Sequence, residues 1–172
     1  MQHIFGKHWV FVAVEPQLAE AGDYITVELG ADSILIVRDD DMQLQAFFNV
    51  CRHRGSRLCS ARQGMVGNIV CPYHQWTYDL AGHLVHAKHM GDDFDRGAHS
   101  LKRVHVRSMG GLIYICLAAE PPADFDAVAA RMAPYLAPHD LPHCKVAAQS
   151  EIIEKSNWKL TVENDRECYH CV

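Results

Sequence analysis

The sequence is poor in the features that most quickly assign a chain to a class. No apolar run approaches the roughly 18 residues that a membrane-spanning helix needs. The opening MQHIFGKHW lacks the basic-then-apolar order of a secretory leader. There is no excess of positive charge: 16 Lys and Arg stand against 21 Asp and Glu, and a net charge of −5 offers no general attraction to nucleic acid or an anionic membrane. No internal repeat or low-complexity tract appears. With 49% apolar residues, disorder is excluded, and 172 residues are too many for a short disulfide scaffold. What remains is a chain that reads as cytoplasmic, holding one ordinary domain or one domain and the start of another.

Cysteine and histidine are not scarce. Seven Cys cannot pair off completely, and a reducing compartment keeps thiols free for metal. Of these seven Cys and twelve His, four lie in two short, similar blocks.

Turn residues divide the chain into short segments. IFGKHWVFVA reads as an amphipathic turn running into a strand, and Glu15–Asp23 as a connector with Pro and Gly at its ends. Strand-like runs follow at 24–29, 33–38, 44–50, 65–71, 76–79, 83–86, 101–108 and 112–118, many of them separated by acidic or glycine turns. No helix of 10–15 residues lies between them, so an antiparallel all-β unit is expected over about 22–118 rather than a βαβ layout. After Glu120-Pro-Pro the character changes. The spacing of Phe125, Val128, Ala129, Met132 and Leu136 predicts a helix over 124–136, stopped by Pro138. A strand is predicted over 145–156, and a second helix over 158–170 with Asn157 as its cap. Val172 falls inside that helix with no terminator, which suggests a truncated chain.

The strongest signal is Cys51-Arg-His53-Arg-Gly-Ser-Arg-Leu-Cys59 followed by Cys71-Pro-Tyr-His74-Gln-Trp76. The skeleton is C-x-H, seventeen residues, then C-x-x-H. Two thiolates and two imidazoles suit tetrahedral zinc, or a [2Fe–2S] pair in which one iron takes the thiolates and the other the imidazoles. Zinc sites more often use C-x2-4-C or H-x3-5-H blocks. Gly55 and Pro72 suit tight loops, Tyr73 and Trp76 can screen a cluster from water, and Arg52, Arg54 and Arg57 can offset its charge or simply be solvated.

At these residues the chain resembles the Rieske domain of non-haem iron oxygenases, over roughly residues 1–118. The resemblance implies that Cys51, His53, Cys71 and His74 hold a [2Fe–2S] cluster. It also implies an all-β Rieske domain of short antiparallel strands over 1–120. An α+β beginning of an oxygenase catalytic domain then follows over 121–172. Ser56 and Tyr73 stand where respiratory-complex relatives carry an extra disulfide, so Cys59 and Cys116 read as core thiols.

The segment NWKLTVENDRECYHC places Glu163, Glu167 and His170 at i, i+4 and i+7, one helix face. By itself that is an ordinary surface pattern. Its resemblance to the opening of the same oxygenases' catalytic domain implies that His170 is the first ligand of a mononuclear non-haem Fe(II), the other ligands lying beyond Val172. Glu167 then occupies the place of an Asp that links cluster and iron across a subunit boundary. Glu instead of Asp, and a segment one residue shorter than in naphthalene-type enzymes, resemble the glycine betaine and stachydrine type of quaternary-amine N-demethylase. An aromatic ring-hydroxylating dioxygenase alpha subunit is the alternative, and a free Rieske ferredoxin accounts only for 22–118. The resemblance further implies an NAD(P)H-dependent reductase or ferredoxin as electron donor, O2 and a small organic substrate, a homotrimer, and no nucleic acid or membrane. The N-methyl group would be hydroxylated to a hemiaminal that loses formaldehyde. The 172 residues alone are expected to bind the cluster without oxygenating substrate.

Overall fold

Short turns convert the apolar runs into hairpins. The computed structural model describes residues 4–91 and 93–167. Ten strands appear in order: β1 (Val10–Val14), β2 (Asp23–Leu29), β3 (Asp32–Arg38), β4 (Leu44–Phe48), β5 (Gln63–Met65), β6 (Ile69–Val70), β7 (Thr77–Tyr78), β8 (Leu84–His86), β9 (His105–Met109) and β10 (Leu112–Cys116). They form three antiparallel sheets, ordered β1-β10-β9, β4-β3-β2-β5 and β6-β7-β8. The run at 65–71 divides between two sheets, as β5 and β6.

The centre of the fold is β3. Its residues Ile34 to Val37 are fully buried, and the two-residue period of a strand sends them to opposite faces. Ile34 and Ile36 join Ala13, Ile25, Ala46, Ile113 and Ile115 in one core. Leu35 and Val37 join Phe47, Leu58, Trp76, Tyr78 and two cysteines, Cys51 and Cys71, in the other. Each such side chain contributes roughly 1.5–3 kcal/mol when fully buried, so β3 anchors both cores at once.

Beyond the sheets, α1 (Phe125–Leu136) seats Phe125 among Trp9, Tyr114 and the Arg107 guanidinium, and Arg107 pairs with Asp126. The helix ends where expected and tolerates Pro134 within its last turn. Its end, with the single turns Ala137–His139 and Leu141–His143, lies on the Gly110-Gly111 turn of the β9–β10 hairpin. In α2 (Trp158–Arg166) the Asn157 side chain accepts from Lys159 N–H at 3.1 Å, as its cap role requires. The expected strand over 145–156 does not form. The segment is irregular and exposed, with Ile152 and Ile153 more than 80% accessible and no strand pairing among the described residues. Apolar content alone does not make a strand where no edge is offered to it. No helix among the described residues is long and apolar enough to cross a membrane.

The Gly111 turn provides a test of the docking. Gly111 has φ +89°, and an added Cβ would lie 2.9 Å from Pro142 N and 2.8 Å from Leu141 Cβ. Gly30 also has positive φ, +69°, but open space around it. Gly111→Ala should therefore cost up to about 3 kcal/mol in urea unfolding, and Gly30→Ala about 1 kcal/mol. Equal losses would contradict a packed contact at Gly111.

Candidate metal centre

Two loops carry the C-x-H and C-x-x-H blocks, and both are wound alike. In the first, Cys51 N–H donates to the Ser56 carbonyl at 2.8 Å and Gly55 N–H to the Cys51 carbonyl at 3.0 Å. In the second, Cys71 N–H donates to the Trp76 carbonyl at 2.8 Å and Gln75 N–H to the Cys71 carbonyl at 3.0 Å. The fourth residue after each Cys is left-handed, with φ 71° at Gly55 and 59° at Gln75. Glycine takes that conformation freely, whereas Gln75 takes it at a cost of about 1 kcal/mol.

These matched frames bring the donors together in like pairs. Cys51 and Cys71 pack in one buried core with Trp76 and Tyr78, and the His53 and His74 rings lie 4.6 Å apart. Both cysteines are buried, while the imidazoles lie partly open. His53 Nδ1 is buried with no hydrogen-bond partner among the described residues. Such a nitrogen is costly as a bare polar atom and well suited to bind a metal. Two thiols and two imidazoles are the donor set of a two-iron group in which one iron takes the thiolates and the other the imidazoles. Burial, then the charges of His74 and Arg54, hold the His53 imidazole below its ordinary pKa, which favours the neutral form a metal needs.

A family profile described as the Rieske [2Fe–2S] domain matches residues 8–106. The chain belongs to that family. It is 51% identical over 172 residues to the glycine betaine monooxygenase oxygenase subunit of Chromohalobacter salexigens, covering 99% of this chain and 38% of that protein. It is 36% identical over 176 residues to the carnitine monooxygenase oxygenase subunit of Escherichia coli K12, covering 99% of this chain and 46% of that one. The crystal structure of a quaternary ammonium Rieske monooxygenase in complex with L-carnitine superposes with a TM-score of 0.87 at 34% identity, over 99% of this chain and 49% of the other. The chain thus spans less than half the length of these relatives.

Around the Rieske loops, aromatic rings exclude water. Trp76 is buried and stacks on His53 at 4.7 Å with an interplanar angle of 10°. Tyr73, expected to screen alongside it, instead lies 61% exposed, leaning on His74. Arg57 is occupied by a two-pronged pair with Glu28, at 2.8 and 3.4 Å. Cys59 and Cys116 are buried apolar thiols, as expected. Glu167 lies at the C-terminal cap of α2, exposed, with its N–H bonded back to Glu163 and Asn164. His170 lies outside the described residues.

Two supporting residues were not singled out from sequence. The Tyr78 hydroxyl accepts from the Arg52 N–H at 3.1 Å and lies 3.4 Å from Cys51 Sγ, to which it would donate once that sulfur is a metal-bound thiolate. Burial foremost, and then this bond, raise its pKa. Asn49, wholly buried, donates to the Cys59 carbonyl at 2.7 Å and accepts from its N–H at 2.9 Å, while also donating to Ser33 Oγ. It ties the far end of the first loop to β3. A polar residue at the end of the apolar run LQAFFNV was the available signal for Asn49, and Tyr78 offered none.

Tyr78→Phe should lower the cluster's midpoint potential, because a donor to a ligand sulfur stabilises the more negative, reduced state. It should also destabilise the fold by roughly 1–3 kcal/mol by orphaning the Arg52 N–H. Voltammetry and chemical unfolding measure the two effects, and an unchanged potential would remove Tyr78 from the tuning. Burial pushes the Cys59 thiol up to about 11, from an ordinary 9.0. Between those values the unfolded chain ionises and the folded one does not, so Cys59 makes stability fall as pH rises through that window. Wild type should lose on the order of 2 kcal/mol more than Cys59→Ala between pH 9 and 11 in urea melts.

Proposed function

We propose that this chain is the electron-relay part of a Rieske oxygenase subunit that N-demethylates small quaternary ammonium compounds. Cys51 and Cys71 would hold one iron of the [2Fe–2S] cluster, and His53 and His74 the other. The observation that carries this is that two matched loops bury Cys51 and Cys71 in one core and set the His53 and His74 rings 4.6 Å apart. The substrate class rests on the names of the relatives, glycine betaine and carnitine monooxygenase oxygenase subunits, and on the ENDRECYHC segment. Residues 1–120 would form the Rieske unit, and 121–172 the linker helix and opening of the catalytic domain.

When bound, the cluster supplies reversible one-electron storage at a potential raised by its two neutral imidazole ligands. The chain's own residues set the conditions for it. Buried Cys51 and Cys71 give thiolates shielded from water, and Trp76 covers the flat side of His53. The Tyr78 hydroxyl, 3.4 Å from Cys51 Sγ, would donate its proton to that sulfur as a thiolate. The imidazoles are only partly buried, which leaves the acceptor side accessible. In the complete protein, His170 would contribute to a mononuclear iron site and Glu167 would bridge to the neighbouring subunit's cluster. A reductase would supply electrons in the cytoplasm to a trimeric oxygenase that consumes O2.

Reconstituted protein should contain about two irons and two acid-labile sulfides per chain. His53→Ala or His74→Ala should abolish the Rieske electron paramagnetic resonance signal, and Cys59→Ser should keep it. Stoichiometric zinc without sulfide would overturn the assignment. In a chain extended to the relatives' length, Glu167→Gln should leave cluster reduction by the reductase near wild type. Substrate-dependent reoxidation and formaldehyde release should fall together. An unchanged reoxidation rate in the fully metallated variant would exclude Glu167 from the relay.

A further inference from the structure

The proposed cluster site has two distinct accessible sides. His53 and His74 line one depression together with Arg54, Tyr73, Lys88 and Met90. Cys51, although only 3% exposed, lines another of about 310 Å³. Its other walls are Phe48, Val50, Asp32, Arg52 and Lys102. An electron relay requires a way in as well as a way out, and the first depression meets the site at its imidazoles, the second at a thiol.

On the thiolate side Arg52 is set apart from the chain's other arginines by a side-chain nitrogen that is buried without a partner. Arg38, Arg57, Arg62 and Arg107 each pair with a carboxylate of the chain itself, and Arg103 donates to Gln45 and the Ala81 carbonyl. Among the described residues, the side chains of Arg52 and Lys102 pair with no acceptor, and Arg52 Nε is buried without a partner. A guanidinium N–H left so is costly unless an acceptor arrives from outside. Beside these cations Val50 is 41% exposed, giving an apolar centre with a largely cationic rim, the anatomy of a transient interface. The chain as a whole carries a charge of −5, so an acidic protein is repelled in general and attracted here.

We propose that the depression formed by Phe48, Val50, Arg52 and Lys102 is the docking surface for the electron donor, a protein presenting carboxylates around a one-electron iron–sulfur centre. This rests on the relay function proposed above. The donor is oxidised by one electron and the group held through Cys51 is reduced by one, with no bond made or broken. Donor and acceptor surfaces are thereby separate, so the donor need not leave before the imidazole side engages its own partner.

The test is binding of a fluorescently labelled, acidic plant-type [2Fe–2S] ferredoxin to the cluster-loaded chain, followed by anisotropy from low to physiological salt. Wild type should bind, and affinity should fall steeply as salt rises. Lys102→Glu, remote in sequence from every ligand, should weaken binding about tenfold at low salt and flatten the salt dependence. Arg52→Gln should act in the same direction, whereas Lys88→Glu on the imidazole side should change affinity less than about twofold. Reduction of every variant by dithionite establishes that its cluster is intact. Wild-type affinity in Lys102→Glu, loss of binding confined to Lys88→Glu, or no salt-dependent binding by wild type would each overturn the proposal. A chain that takes up no iron and sulfide would instead refute the relay function, and this is seen before any binding is measured.

Discussion

The burial of β3 on both faces is the constraint from which the rest of the structure follows. Because Ile34 and Ile36 face one way and Leu35 and Val37 the other, the strand cannot shift register by one residue without exchanging its contributions to two cores. β4 and β2 inherit the same division, Ala46 and Ile25 going to one side, Phe47 and Tyr24 to the other. The core containing Leu35 and Val37 is also the one that buries Cys51, Cys71, Trp76 and Tyr78. Packing of a mid-sheet strand and placement of the proposed metal ligands are therefore one event.

Polar groups refine what burial sets up. The Asn49 amide couples the first loop to β3 through the Cys59 backbone and Ser33, and Ser33 donates in turn to Glu28, the partner of Arg57. This chain of bonds runs from an exposed ion pair to a wholly buried amide, and every member has an acceptor or donor to meet. Its energetic weight lies in the buried end, since the exposed Arg57–Glu28 pair alone contributes less than about 1 kcal/mol. The matched turns at Gly55 and Gln75 do the remaining work: the same backbone frame presents an imidazole two residues after one Cys and three after the other.

Sequence made the hairpins and the candidate ligands legible for different reasons. β2 and β3 read as strands because each is dominated by β-branched and apolar residues and bounded by turn residues. The four ligand candidates stood out because soft and borderline donors in paired short blocks have few structural uses. The same logic failed over 145–156, where the apolar residues Ile152 and Ile153 suggested a strand but no sheet edge receives them. Tyr78 was illegible because its bond to Cys51 spans 27 residues and depends on how two loops approach each other. Arg57 was misleading in a similar way, its pairing with Glu28 being set by tertiary contact rather than by the neighbouring motif.

The central claim is that two thiolates and two imidazoles divide between two irons. Mössbauer spectroscopy of the chain loaded with ⁵⁷Fe measures that division directly. Unequal ligation predicts two quadrupole doublets of equal area in the oxidised protein, with only one of them becoming ferrous on one-electron reduction. A single doublet from equivalent irons, or iron without cluster coupling, would contradict the assignment of Cys51 and Cys71 to one metal and His53 and His74 to the other.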